Sequence, residues 1–268
     1  MRIIVPVKYV PDIQSDRSFR PGGFVDRSAA HGTLNELDEN AIEAALQIIE
    51  ALPAQTQVES EVVAVTVGPE DADIALRKAF QLGVDRGIRV SEAAISGSDI
   101  FATARVLTKA IDFLSKDHPF DLIITGMAAL DGLGSVVGAI IAQQLNVPQL
   151  TLATKLELVG SKIQITRDYD GVTEVLAASL PALVGVTDHL NAPRYPNVKL
   201  IMAARTKQID VLSLADLGLA ADQVGVPGSF TEMLSAEVKP PKEAAVKVLD
   251  EGQGGIALAE YLINNKLI

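Results

Sequence analysis

Short apolar runs alternate with amphipathic segments along the first half of the chain. The apolar runs are typical of strands at the centre of a parallel sheet, and they cover residues 2–8, 62–67 and 122–124. Residues 86–90 read as a further strand. Between and after them, apolar side chains recur three and four positions apart, as on one face of a helix, over residues 35–52, 70–82 and 98–115. Ile140, Ile141 and Leu145 fall on one stripe of a fourth helix. This alternation predicts an α/β fold with a doubly wound, mostly parallel sheet.

Helix boundaries are marked by capping residues. Asn35 is a typical N-cap, and Glu36, Asp38 and Glu39 place negative charge in the first turn, where the helix dipole favours it. These carboxylates could instead form a metal site or an acid–base site, and both interpretations stay open. Gly83 closes the next helix.

From residue 154 the pattern changes to a period of two. The segments 154–160, 162–168, 173–179 and 182–187 read as strands separated by turns, which predicts an antiparallel extension of the sheet. Beyond residue 190 the alternation stops, and prolines bracket a loop at 191–197. We therefore divide the chain into a nucleotide-binding α/β domain, 1–190, and a partner-docking loop with a C-terminal arm, 191–268.

A glycine-rich junction links the strand at 122–124 to the helix that follows it. Gly126, Gly132, Gly134 and Gly138 allow close backbone approach, and the free N–H groups of a helix start favour an anion such as phosphate. The spacing is one residue off the dinucleotide fingerprint, and no lysine follows a glycine as in a P-loop. A nucleotide site is the hypothesis, and a tight loop without a ligand is its alternative.

Composition narrows the classes of function. The 268 residues carry a formal charge of -11 with a pI near 4.8, which disfavours nucleic acid and anionic membrane as partners. With no cysteine, thiolate chemistry is excluded, and the scattered His31, His118 and His189 have no metal-ligand spacing. No signal peptide or membrane span is recognisable, so we expect a cytoplasmic protein without membrane insertion and without a metal.

The residues also resemble a known family, the β subunit of electron-transfer flavoprotein, over nearly the whole length. IIVPVKYVPD, NELDENAIEAAL, AVTVGPED, ALRKAFQLGVDRGIRV, GMAALDG, LNVPQLTLA and NAPRYPNVKLIMAARTK occur in the family's order. The most diagnostic segment is RDYDGVTE at 167–174, which leads to LPALV at 180–184 and is similar to the family signature.

The resemblance implies a Rossmann-like, adenine nucleotide α-hydrolase-like domain that binds AMP and forms a heterodimer with an α subunit holding most of the FAD. It implies an electron carrier, not an enzyme, which takes electrons from flavoprotein dehydrogenases such as acyl-CoA dehydrogenases and passes them to a respiratory-chain oxidoreductase. Carried over by position, the nucleotide contacts are Pro6, Asn35, Glu36, Leu37, Asp38, Val67, Gly126, Met127, Ala128, Ala129, Leu130, Asp131, Gly132, Leu133, Gly134, Ser135, Val136 and Val137.

The glycine loop departs from the family's acidic, amide and hydroxyl series, so phosphate contacts rely more on backbone N–H groups and Ser135. A second FAD in place of AMP stays an alternative. Ile13 stands where some members place an aromatic against the flavin, so that contact is not carried over. The resemblance also implies a dehydrogenase-docking segment composed of Tyr195, Pro196, Asn197, Val198, Lys199 and Leu200.

Two other classes of protein are weighed against the carrier. A solitary adenine-nucleotide sensor would be a self-contained chain, whereas the tail has little core of its own. An adenylate-using enzyme would need a P-loop or a set of metal-holding carboxylates, and the sequence offers neither. The apolar residues of the terminal segment 256–263 favour an arm that packs on the α subunit.

Overall fold

A computed structural model describes residues 1–15, 18–27, 32–242, 247 and 249–268. His31 falls outside these ranges. The strands are β1 (Arg2–Pro6), β2 (Tyr9–Pro11), β3 (Gly32–Leu34), β4 (Glu61–Val67), β5 (Arg86–Val90), β6 (Leu122–Gly126), β7 (Gln149–Ala153), β8 (Lys155–Val159), β9 (Lys162–Tyr169), β10 (Val172–Ser179), β11 (Ala182–Val186) and β12 (Ile209–Leu212). The α-helices are α1 (Glu36–Glu50), α2 (Ala54–Val58), α3 (Asp73–Leu82), α4 (Ile100–Ser115), α5 (Val137–Leu145), α6 (Val198–Thr206) and α7 (Gly254–Asn264).

Seven parallel strands form the central sheet in the order β12-β5-β4-β1-β6-β11-β7. Successive side chains of a strand point to opposite faces, so Ile3 and Val5 belong to one buried cluster and Ile4 to another. Helices α1 and α3 contribute to the first cluster, and α4 and α5 contribute to the second. The predicted doubly wound α/β fold is confirmed.

The antiparallel part differs from the prediction in its connections. β8, β9 and β10 form a separate three-stranded sheet, while β11 returns to the central sheet as a parallel strand between β6 and β7. β11 is buried along its whole length, as a central parallel strand must be, whereas β10 alternates between exposed and half-buried residues. β7 was not predicted, because its alternation of polar and apolar residues covers only five positions.

The compact body is longer than the predicted 1–190 domain. It extends to Ala236, because β12 pairs with β5 at the sheet edge and α6 packs against α3. Leu214, Leu217 and Val224 are buried in the second cluster. The arm, residues 237–268, is a separate unit that contains α7. Among the described residues, no helix has the length and apolar character to cross a membrane.

Candidate functional site

The strand order reverses between β1 and β6. From β1 the chain moves outward to β4 and β5, then returns to the other side of β1 to form β6. In open α/β sheets a crevice forms at such a point, beyond the carboxyl ends of the strands, and ligands bind there. The segments that follow β1 and β6 therefore define the candidate site.

Asn35 joins the two sides of this crevice. Its side-chain Nδ2 donates a hydrogen bond to the carbonyl of Ala128 at 2.9 Å, and its Oδ1 accepts one from the backbone N–H of Leu130 at 3.0 Å. Asn35 occupies the N-cap position of α1, but its side chain makes no capping hydrogen bond to the helix. The prediction that the Asn35 side chain caps the helix is therefore wrong. Its fully buried amide forms hydrogen bonds with the glycine loop instead.

Asp38 packs beneath the same loop. Its carboxylate accepts a hydrogen bond from the backbone N–H of Lys8 at 2.8 Å, and it lies so close to Gly126 that an added Cβ there would stand 2.7 Å from Oδ1. The same Cβ would meet the carbonyl of Leu37 at 2.6 Å, so glycine is required at this position. Burial raises the pKa of Asp38 to about 7, despite its hydrogen bonds with Asn35 and Lys8.

Two cations converge on Asp131 in the glycine loop. Lys8 Nζ lies 2.7 Å from Oδ1, and Arg27 Nε donates to Oδ2 at 2.9 Å. The side chain of Asp131 is fully buried, while those of Lys8 and Arg27 are 41% and 38% exposed. Burial alone would raise the pKa of Asp131, but the charges of Lys8 and Arg27 outweigh it and hold the pKa below its ordinary value. Together these three groups carry one net positive charge at the mouth of the crevice.

The glycine loop ends in a helix start that offers unpaired N–H groups. Helix α5 begins at Val137 without a side-chain cap. The backbone N–H groups of Gly134, Ser135 and Val136 donate to no acceptor among the described residues, and all three residues are exposed. Leu133 and Ser135 have positive φ angles of 48° and 55°, a backbone conformation that clusters at ligand-binding loops. This arrangement suits an anion.

The predicted site residues fall into two groups. Asn35, Leu37 and Asp38 meet Gly126, Ala128 and Leu130 at the crevice, the rest of 127–137 continues this loop to the start of α5, and Pro6 ends the strand beneath it. Val67 ends β4, which lies on the opposite side of β1 from β6. It is therefore at the carboxyl ends of the strands, like the site, but outside the crevice between β1 and β6. Glu36 is exposed on the first turn of α1.

Sequence reasoning missed Lys8 and Arg27. Lys8 directly follows a central strand, which was a usable signal because such positions lie at the ligand-binding edge. Arg27 lies between β2 and β3, more than 100 residues from its partner Asp131. No local spacing connects them. The aliphatic side chain of Ile13, in the same loop, is 53% exposed.

The predicted docking residues span the end of the 191–197 loop and the first residues of α6. Asn197 caps α6 by accepting a hydrogen bond from the backbone N–H of Leu200 at 2.9 Å. Val198 is 77% exposed and Tyr195 is 95% exposed, so both present apolar surface to solvent. The predicted loop at 191–197 is therefore present, and α6 begins directly after its second proline and Asn197.

Comparison with known proteins agrees with this architecture. The model of the electron transfer flavoprotein domain matches residues 22–217. The electron transfer flavoprotein subunit beta of Mycobacterium tuberculosis is 40% identical over 267 residues, covering 99% of each chain. That of Thermoanaerobacterium thermosaccharolyticum is 32% identical over 91% of this chain and 90% of its own.

A third relative is named as part of a larger assembly. The caffeyl-CoA reductase-Etf complex subunit CarD of Acetobacterium woodii is 33% identical over 242 residues, which are 90% of this chain and 89% of that protein. The domain match covers most of the chain, and the relatives align along nearly all of it. The chain therefore belongs to the electron transfer flavoprotein family, as a β subunit.

Proposed function

We propose that this chain is the AMP-binding subunit of an electron-carrying heterodimer. The observation that carries the proposal is the pairing of a cationic cluster, Lys8 and Arg27 on Asp131, with the unpaired N–H groups of residues 134–136. A net positive charge and free backbone donors are what a phosphate group needs. Among the described residues of this crevice, no nucleophile stands beside a base, which supports a structural role for the nucleotide.

The crevice fits an adenine nucleotide by the chemistry of its donors. Residues 134–137 would hold the phosphate, with the side chain of Ser135 as an additional donor. Residues 126–133, with Pro6 and residues 35–38, would surround the nucleoside, and Val67 would approach from the neighbouring strand. Asn35 keeps the two walls of the crevice at a fixed separation through its bonds to Ala128 and Leu130. This chain therefore binds and orients the nucleotide without reacting with it.

The electron-accepting group would be the FAD of an α subunit, which supplies the redox chemistry when bound. This chain would associate with that subunit and would provide a docking surface for the electron donor. The donors are flavoprotein dehydrogenases such as acyl-CoA dehydrogenases, and the acceptor is a respiratory-chain oxidoreductase. On this proposal the heterodimer works in the cytoplasm and has no catalytic residues in this chain.

Docking falls to residues 195–200, which we call the docking segment. Tyr195 and Val198 are the exposed large apolar side chains here, and such residues are typical anchors in a partner's pocket. The arm supports the heterodimer, because Ile256, Leu258 and Ile263 on α7 are each more than half exposed. A helix of 11 residues with an uncovered apolar face is marginal in water, which favours a partner chain over a solitary sensor.

A second FAD in place of AMP is the other candidate. It is favoured by the open glycine loop, since a Cβ added at Gly132 would meet no atom within 4 Å. The relative from a caffeyl-CoA reductase complex is consistent with it. Both candidates place a nucleotide phosphate at the same helix start.

The deciding experiment is acid extraction of the heterodimer purified after co-expression with an α subunit, followed by chromatography of the extract. One AMP and one FAD per heterodimer is the expected result. Two FAD molecules and no AMP would establish the second candidate. A protein without any extractable adenine nucleotide beyond one FAD would overturn the nucleotide role, and a stable monomer indifferent to the α subunit would favour the sensor.

A further inference from the structure

The residue directly before the docking segment is held by two carboxylates of α1. Arg194 Nε lies 2.7 Å from Glu43 Oε2, and its Nη1 lies 2.6 Å from Glu50 Oε1. Its Nη2 donates to the other oxygen of each carboxylate, at 3.1 and 3.0 Å, so both contacts are bidentate. The fork geometry of arginine makes such a contact both strong and directional. The guanidinium therefore fixes the chain at residue 194.

Burial supports a fixed contact. The side chain of Glu43 is only 7% exposed, and that of Arg194 is 29% exposed. Burial alone would raise the pKa of Glu43, but hydrogen bonds from Arg194 outweigh it and hold the pKa below its ordinary value. Gln47, one turn further along α1, also donates to Glu43 Oε1 at 2.8 Å. Glu43 is thus ionised and oriented.

A second anchor lies three residues earlier in the chain. Asn40 Nδ2 donates to the carbonyl of Asn191 at 2.9 Å, and Asn191 Nδ2 donates to the carbonyl of Asn40 at 3.0 Å. Asn40 is buried on α1. The approach to the docking segment is therefore attached to α1 at Asn40, Glu43 and Glu50, which lie on one face of the helix.

The far end of α6 is attached as well. Arg77 of α3 donates to the carbonyl of Ala204 at 2.8 Å and to that of Lys207, which are carbonyls left over at a helix end. Lys207 Nζ in turn donates to the carbonyl of Val84 at 2.7 Å. Between these two attachments, Tyr195 and Val198 stay exposed.

An exposed apolar surface that is tied down on both sides has little conformational entropy left to lose on binding. We propose that Arg194 is a positioning residue that holds the docking segment in its binding-competent conformation for an electron-donating flavoprotein. This inference rests on the proposed docking role of residues 195–200. It assigns to Arg194 no contact with the flavin or with the reacting atoms.

The test uses the complete heterodimer with its α subunit and a reduced acyl-CoA dehydrogenase as the electron donor. In Arg194→Gln we expect the KM for the donor to rise about tenfold, because the segment must now be ordered on binding, while kcat is unchanged. Glu50→Gln is the milder variant, since Glu50 is 55% exposed and Glu43 still holds Arg194, and a smaller rise in KM is expected. Hydrogen exchange at residues 195–201 should become faster in Arg194→Gln.

The matched control is Arg86→Gln, which breaks an exposed pair with Asp210 at the sheet edge and should leave KM unchanged. If Val198→Asp raises KM but Arg194→Gln does not, the positioning role is overturned while docking stands. If Val198→Asp has no effect, docking at this segment fails, and the inference fails with it. A fall in kcat with KM unchanged would also contradict a positioning role.

Discussion

The side-chain amide of Asn35 and the backbone N–H of Leu130 meet across the crevice, with 3.0 Å between Oδ1 and N. They belong to segments 95 residues apart, one following β1 and the other following β6. The same amide donates to the carbonyl of Ala128. A buried amide in this position sets the distance between the two walls of the proposed nucleotide site.

Asn35→Ala removes both of these hydrogen bonds from a fully buried position. We expect the free energy of unfolding to fall by about 1–3 kcal/mol, and nucleotide retention to fall with it. Urea unfolding of the heterodimer and nucleotide content after gel filtration measure the two effects. Gln144→Ala, which truncates an exposed amide on α5, is the control and should change neither. Retained nucleotide in an Asn35→Ala variant would contradict the bridging role.

Gly134→Val tests close approach of a phosphate to the glycine loop. The backbone of Gly134 is not left-handed, and a Cβ there would make only an ordinary contact, 3.5 Å from Ile100 Cγ2. The fold should therefore tolerate the change, while nucleotide binding weakens about tenfold or more through lost N–H contacts. Thermal unfolding checks the fold and acid extraction checks the nucleotide. Wild-type AMP content in this variant would argue that the phosphate lies elsewhere.

Asp38 makes stability depend on pH between about 4 and 7. Its pKa is about 7 in the folded protein and 3.8 for an ordinary aspartate, so within this window the folded state binds a proton that the unfolded state lacks. The free energy of unfolding due to this group therefore falls as pH rises, by at most about 1.4 kcal/mol per pH unit. Asp38→Asn lacks this contribution.

The measurement is the difference in unfolding free energy between wild type and Asp38→Asn across that window. Wild type should lose stability relative to the variant as pH rises toward 7, and the difference should level off above it. Glu43 and Asp99, whose pKa values are lowered, act in both proteins and cancel in the difference. Parallel stability curves would show that Asp38 is ionised throughout.

Val198→Asp places a charge on the exposed start of α6. Electron transfer from an acyl-CoA dehydrogenase should slow about tenfold or more, because the carboxylate would have to be desolvated in an apolar pocket. The flavin spectrum should stay unchanged. Val58→Asp, at a residue 86% exposed on α2, is the control for added charge. Equal transfer rates in the two variants would remove Val198 from the docking surface.

Truncation after Lys242 removes α7 and its exposed apolar residues. We expect association with the α subunit to weaken at least tenfold, since each buried aliphatic side chain stabilises an interface by roughly 1.5–3 kcal/mol. Flavin retention should fall while AMP stays bound, because the crevice lies in the body that ends at Ala236. Limited proteolysis of the full-length chain alone should cut first in the arm. An unchanged heterodimer affinity would exclude the arm as an interface.

The local pattern was sufficient for most of the central sheet. β1, β4 and β6 are mainly apolar runs because both faces of a parallel sheet are buried, and that requirement is visible in sequence. β7 and β12 were not predicted. They are edge strands of five and four residues, and their conformation depends on pairing with β11 and β5. β11 was predicted as a strand. Its position between β6 and β7 was not predicted, because it depends on pairing between segments that are distant in sequence.

The candidate site also combines features that local sequence predicts with features that depend on long-range contacts. The sequence by itself determined the alternation of strand and helix, the glycine-rich helix start, and, through the family resemblance, the residues grouped around it. Only the tertiary structure decided that Asn35 bonds across the crevice instead of capping its helix, that Lys8 and Arg27 share Asp131, and that Arg194 is held on α1. Local conformation follows from neighbours in the chain, whereas ion pairs and buried amides depend on which distant segments the fold brings within 3 Å.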